Sequence, residues 1–145
     1  MASPFKTTVT ADIAAAIGLT QPTWRGQDVA QLASTSAQLP GYMVQLVSVD
    51  LDLQVSTPTE STYLYQFEIT FRDNYPASGN LTDAKLVALN AIHDALIGNA
   101  TLKAPSYGAL QEITGATFQE GETHPVGNRA YEVTATYQIA ITGTR

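Results

Sequence analysis

The chain has 145 residues, a common size for one domain, and 44% of them are hydrophobic while only 14% are charged. This composition excludes an intrinsically disordered protein, and the sparse charge indicates that partners cover part of the surface. The formal net charge of -6 disfavours nucleic acids and anionic membranes as partners, and the lack of cysteine excludes disulfides, thiolate metal sites and cysteine nucleophiles.

The N-terminal region combines a short helical segment with turn-forming residues. The segment TADIAAAIGL predicts a short helix with Gly18 near its end, and the stretch up to Tyr42 contains turn formers and a second candidate helix. The first residues carry one lysine and an apolar run broken by threonine and aspartate, which is unlike a signal peptide. No later segment is apolar enough to predict a membrane span.

Two segments in the middle of the chain alternate hydrophobic and polar residues. The alternation predicts strands over 47–55 and 62–72, each with one buried face. Between them lies STPTES, whose serine, threonine and proline residues favour a turn. We therefore expect a hairpin here.

The segment LTDAKLVALNAIHDALIG has helical periodicity. Leu89, Ile92 and Leu96 fall on one side of a helical wheel, opposite polar residues. Asn80 or Thr82 is expected to cap the start, and Gly98 is expected to end the helix in a left-handed turn. The sequence therefore predicts a helix over 81–98.

A second hairpin is predicted near the C-terminus. Residues 131–141 alternate cleanly, whereas 109–118 alternate less regularly, and Gly115 is a candidate bulge. The connection 119–129 contains two glycines and a proline, which indicates a loop.

Together these elements predict an α+β fold with a four-stranded antiparallel sheet. Two hairpins form the sheet, and the central helix packs on one of its faces. We expect one domain over 1–145, with a helical or irregular region at 1–40 and a β-β-α-β-β core at 41–145.

Recognisable active-site chemistry is lacking, so we predict no catalytic residue, no cofactor and no metal. His93 and His124 have no second histidine at a ligand spacing. Glu120, Glu122 and His124 alternate in a way that suits a divalent cation, but a solvated acidic loop is the simpler interpretation. The sequence also lacks a glycine-rich phosphate loop and a GxSxG motif.

Protein contacts are the better interpretation of the remaining features. Trp24 and Arg25 are residue types enriched at protein interfaces, and we identify them as candidate interface residues.

The segments YLYQFEITFRDNYP, LTDAKLVALNAIHDALIGN, GALQEITGATF and RAYEVTATYQIAITG, in this order, resemble the tail terminator and tail completion proteins of tailed bacteriophages. The resemblance covers roughly residues 40–145 and rests on element order. It implies a virion structural protein, assembled in the host cytoplasm, that forms a ring, usually a hexamer. Such a ring caps the tail tube and joins it to the head-side connector.

The resemblance also implies that the loops 55–62 and 119–129 project towards the tube protein, the connector or a neighbouring subunit. Their charged residues are then candidate polar contacts. These are Glu60, Glu120, Glu122 and Arg129.

Two other classes of function stay open at the level of sequence. One alternative is a head-to-tail adaptor or a tail-tube subunit. Tube subunits form open stacks, whereas a terminator stops at one ring. A further alternative is a small ligand-binding or hydrolytic domain that uses the concave space between helix and sheet.

Overall fold

The computed structural model describes residues 7–28, 39–51, 60–77, 79–100, 102, 110–123 and 129–144. The helices are α1 (Val9–Thr20) and α2 (Leu81–Ile97). The strands are β1 (Arg25–Gly26), β2 (Gly41–Leu51), β3 (Glu60–Asn74), β4 (Leu110–Thr123) and β5 (Arg129–Thr144).

The strands form one sheet in the order β1-β2-β3-β5-β4. β2, β3, β5 and β4 are antiparallel to their neighbours, whereas β1 pairs with the start of β2 in parallel. The predicted α+β class is therefore confirmed, but the sheet is mixed and not entirely antiparallel. The prediction missed β1 because a strand of two residues has no periodicity to detect.

Both helices contribute to one hydrophobic core on a single face of the sheet. The largest fully buried side chains come from both helices and from the two central strands. They include Ile13 and Ile17 of α1, Ile92 and Leu96 of α2, Phe67 and Ile69 of β3, and Tyr137 and Ile139 of β5. The N-terminal region is thus part of the core, and the Tyr42 hydroxyl fixes it further by donating to the carbonyl oxygen of Ala14 at 2.9 Å.

The opposite face of the sheet is polar where β3 meets β5. The hydroxyl groups of Thr62 and Thr142 lie 2.7 Å apart, and Arg72 donates to Glu132 at 2.7 Å. These are directly opposed cross-strand pairs, which stabilise sheets through contact of their side chains.

The N-terminal end of α2 agrees with the sequence prediction, whereas its C-terminal end differs from it. The Asn80 side chain accepts a hydrogen bond from the backbone N–H of Asp83 at 3.0 Å, as expected of an N-cap. Gly98, predicted to be left-handed, is in the right-handed region with φ of -78°, and its N–H donates to the carbonyl oxygen of Asp94. The helix therefore ends without a left-handed conformation at Gly98.

Bulges account for the strand boundaries that the sequence analysis misplaced. The register of β2 against β3 shifts between Leu46 and Ser48, and β2 begins at Gly41 and not at Val47. β4 shifts register around the predicted bulge at Gly115. The predicted loop 119–129 is wrong at both ends, since β4 continues to Thr123 and β5 begins at Arg129.

Candidate functional site

A cavity of about 380 Å³ opens where the helices meet one end of the two central strands. Its walls are the end of β3, the start of β5, one side of α2 and the segment that follows α1. The described lining residues are Gln21, Trp24, Phe71, Asp73, Asn74, Pro76, Ala84, Val87, Ala88, Ala91 and Tyr131. A volume of this size is typical of small-ligand sites, which span about 300–1,000 Å³.

Asp73 is the charged group of this cavity. Its position in β3 has the same parity as Phe71, so its side chain is on the helix-covered face of the sheet, directly opposite Tyr131 of β5. The carboxylate accepts a hydrogen bond from the backbone N–H of Asn74 at 2.7 Å. Burial raises the pKa of Asp73 above its ordinary value, and the hydrogen bond from Asn74 partly opposes this rise.

Three aromatic residues line the same cavity as Asp73. The ring of Trp24 packs on Phe71 with centroids 4.1 Å apart, and Phe71 meets Tyr131 at 6.1 Å. Burial, with a smaller contribution from the charge of Asp73, raises the pKa of Tyr131 to about 12. The phenol therefore stays protonated at neutral pH and is available as a hydrogen-bond donor beside the carboxylate.

The α2 wall gives the cavity its room. Ala84, Ala88 and Ala91 recur at helical spacing, so small side chains face the aromatic group across the opening. Gln21, which directly follows α1, adds an amide group to the lining. None of the described lining residues is a lysine, arginine or histidine.

The chemistry of the described cavity lining is that of one carboxylate beside aromatic side chains. The described lining residues contain no serine, threonine, histidine or lysine that would act as a nucleophile or base next to Asp73. A carboxylate among aromatic faces instead favours a cationic ligand, through charge and through cation–π attraction.

The structure places one predicted interface residue in this cavity and separates it from its neighbour. Trp24 is half-buried and packs against the core, so its ring is a wall of the cavity as well as a surface feature. Arg25 is exposed in β1, and its backbone N–H donates to the carbonyl oxygen of Pro40 at 3.0 Å. The cavity does not include Arg25.

The other candidate contacts lie in strands, but their side chains are outside the described part of the structure. Glu60 begins β3, Glu120 and Glu122 belong to β4, and Arg129 begins β5. Their assignment to contacts with partners stays a prediction.

Of the two histidines, the structure describes His93. The ring of His93 lies 6.4 Å from that of Tyr137, where it packs beside the core, and His124 is outside the described residues. Among the described residues, no group of three histidine or acidic side chains is placed to hold a metal ion. The side chains of the alternating trio Glu120, Glu122 and His124 are not among those that the structure describes.

Sequence reasoning missed Asp73, although a signal was present. The alternation of Tyr65, Phe67, Ile69 and Phe71 assigns the next odd position to the buried face, and that position holds an aspartate. An acidic residue in hydrophobic register indicates either a strand end or a functional carboxylate.

Neither described helix has the length and hydropathy needed to cross a lipid bilayer. No known family model matches the sequence, and no curated protein is significantly similar to it.

Proposed function

We propose that the chain is a subunit of a self-assembling ring, with the tail terminator of a tailed bacteriophage as the specific role. In that role, one closed ring caps the tail tube and meets the head-side connector. The element order and the resemblance of residues 40–145 motivate this assignment.

The main support for assembly is that, among the described residues, no strand pairs with the outer side of either sheet edge over most of its length. β4 is a 14-residue strand at the end of the strand order, and β5 is its one neighbour among the described strands. At the other edge, β1 pairs only with Gly41 and Tyr42 of the 11-residue β2. Long uncovered edges are templates for pairing with another chain, and monomeric proteins usually shield them.

Exposed hydrophobic side chains give a second line of support. β2 exposes Leu46, Val47 and Leu51, whose exposed fractions are 42%, 48% and 38%. Such side chains along an open edge favour an apolar contact with a further copy. Pairing of β4 in one copy with β2 in the next is a head-to-tail contact, and head-to-tail contacts generate closed rings when the rotation between copies closes.

The test is the assembly state of the purified chain. Light scattering coupled to size exclusion, with negative-stain microscopy of the same fractions, should show one closed ring at micromolar concentration. Particles that stay monomeric at high concentration would overturn the proposal. Open stacks without a defined end would favour the tail-tube alternative.

A charge on the β2 edge tests the contact itself. Val47→Lys should shift the assembly towards monomers at equal concentration while the subunit keeps its folded structure by circular dichroism, since Val47 is already half exposed. Asn90→Lys is the matched control, because Asn90 is an exposed residue of α2 away from both edges. Equal assembly of both variants would exclude the β2 edge as the interface.

A further inference from the structure

We propose that the cavity beside Asp73 is a receptor for a guanidinium group, presented either by an arginine side chain of another polypeptide or by free arginine. The inference rests on the placement of the Asp73 carboxylate, the partly exposed Trp24 ring and the Gln21 amide around one opening. It does not depend on ring formation.

The carboxylate has unused capacity for a ligand. The N–H of Asn74 occupies one of the roughly four lone-pair positions of an ionised carboxylate. A guanidinium group carries five N–H donors in a planar fork and binds carboxylates through two parallel hydrogen bonds. The described lining residues supply no cation of their own to occupy this position.

The partly exposed ring of Trp24 offers an aromatic face to a guanidinium group. Trp24 is half-buried at the cavity, and Phe71 and Tyr131 lie behind it at ring distances of 4.1 and 6.1 Å along the row. A guanidinium plane stacks on aromatic faces more readily than a compact, strongly hydrated ammonium group does. The amide oxygen of Gln21 is an acceptor for an N–H group that the carboxylate does not bind.

The charge of the whole chain favours the same ligand. A formal net charge of -6 attracts cations and raises their concentration at the surface. Because Asp73 is the only acidic residue among the described lining residues, it fixes where the cation binds.

The chain contains a built-in reporter of this site. Trp24 is its single tryptophan, so the intrinsic tryptophan fluorescence comes from the cavity wall alone. Titration with ethylguanidinium chloride at constant ionic strength and at non-denaturing concentrations should give a saturable change. Ethylurea, which has a similar planar shape but no charge, should give none.

Variants identify the group that binds. Asp73→Asn keeps the acceptor for Asn74 and removes the charge, so affinity should fall at least about tenfold. Asp94→Asn removes an exposed carboxylate from α2 and should leave affinity unchanged. Thermal unfolding of each variant establishes that the fold is intact.

Two further probes separate the sources of the guanidinium group. Tighter binding of acetyl-Gly-Arg-Gly-amide than of free L-arginine supports a protein partner, and the reverse order supports a free amino acid. Either order supports the guanidinium site. The proposal is overturned by a response to ethylurea equal to that of ethylguanidinium, by unchanged affinity in Asp73→Asn, or by no saturable response to any guanidinium probe.

Discussion

Asp73 stands where the buried face of β3 would otherwise continue with a hydrophobic side chain. The residues before it on that face, Ile69 and Phe71, are almost fully buried, and its directly opposed neighbour Tyr131 is buried as well. An ionised carboxylate in such surroundings has lost part of its hydration, which destabilises the folded state. A residue that is unfavourable for folding and lines a cavity is typical of a functional site.

The first prediction concerns the stability of Asp73→Asn. The folded-state pKa of this carboxyl is raised above 3.8, so the folded protein binds the proton more tightly than the unfolded chain does. The contribution of Asp73 to the free energy of unfolding therefore falls as pH rises from 3.8 through the raised pKa, and the loss is complete above it. Asparagine has no such loss, so the variant should have the higher Tm at pH 7.

Thermal unfolding between pH 3 and pH 7 measures this difference. The gain of Asp73→Asn over the unmodified chain should shrink towards zero as pH falls below 3.8, where both side chains are neutral. Asp94→Asn is the reference for an exposed carboxylate. A lower Tm for Asp73→Asn at pH 7 would show that the charge stabilises the fold.

The pair Arg72–Glu132 illustrates the opposite case, a charge that has its partner. The two side chains are only 8% and 19% exposed and meet at 2.7 Å across the central strands. Removing one partner leaves a largely buried charge, so we expect Glu132→Gln or Arg72→Met to lower the free energy of unfolding by about 1.5–3 kcal/mol.

A double-mutant cycle measured by urea denaturation tests this expectation. The double variant should be less destabilised than the sum of the two single variants, with a coupling of about 0.5–3 kcal/mol. Additive effects would mean that each residue acts through other neighbours.

At the scale of elements, the patterns of β3, β5 and α2 were readable because each has one clearly buried face. The odd positions from Tyr65 to Phe71 in β3 and from Tyr131 to Ile141 in β5 are buried, as are Ile92 and Leu96 of α2. β2 was harder, because a bulge reverses the facing of its residues at Val47. The alternation that starts at Val47 therefore indicated a strand but missed where it begins.

The N-cap of α2 gives a prediction at this scale. Asn80→Ala removes the acceptor for the N–H of Asp83 and should lower the free energy of unfolding by about 0.5–2 kcal/mol. Thr82→Ala is the matched control, since Thr82 was the alternative cap in the sequence and is exposed within the first turn. Urea denaturation measures the free energy of unfolding of both variants. An equal loss of stability in the two would contradict the assignment of Asn80 as the cap.

At the scale of the molecule, the layered architecture could be predicted but the cavity could not. One helix on a sheet follows from periodicity, whereas the cavity needs residues from four separate parts of the chain to meet. Gln21 and Trp24 come from the N-terminal region, and Tyr131 lies more than a hundred positions further along. No local sequence pattern predicts that these residues come together. The aspartate at a hydrophobic position of β3 nevertheless identifies one of them.

The strand order also has a consequence for synthesis on the ribosome. The centre of the sheet is β3 against β5, and α2 and β4 lie between these strands in the chain. A nascent chain that ends before Arg129 contains β3 without its main partner and leaves Phe67 and Ile69 without the opposing residues of β5. Such late closure of a long-range pairing leaves the emerging polypeptide dependent on chaperones for longer than a fold built from neighbouring segments.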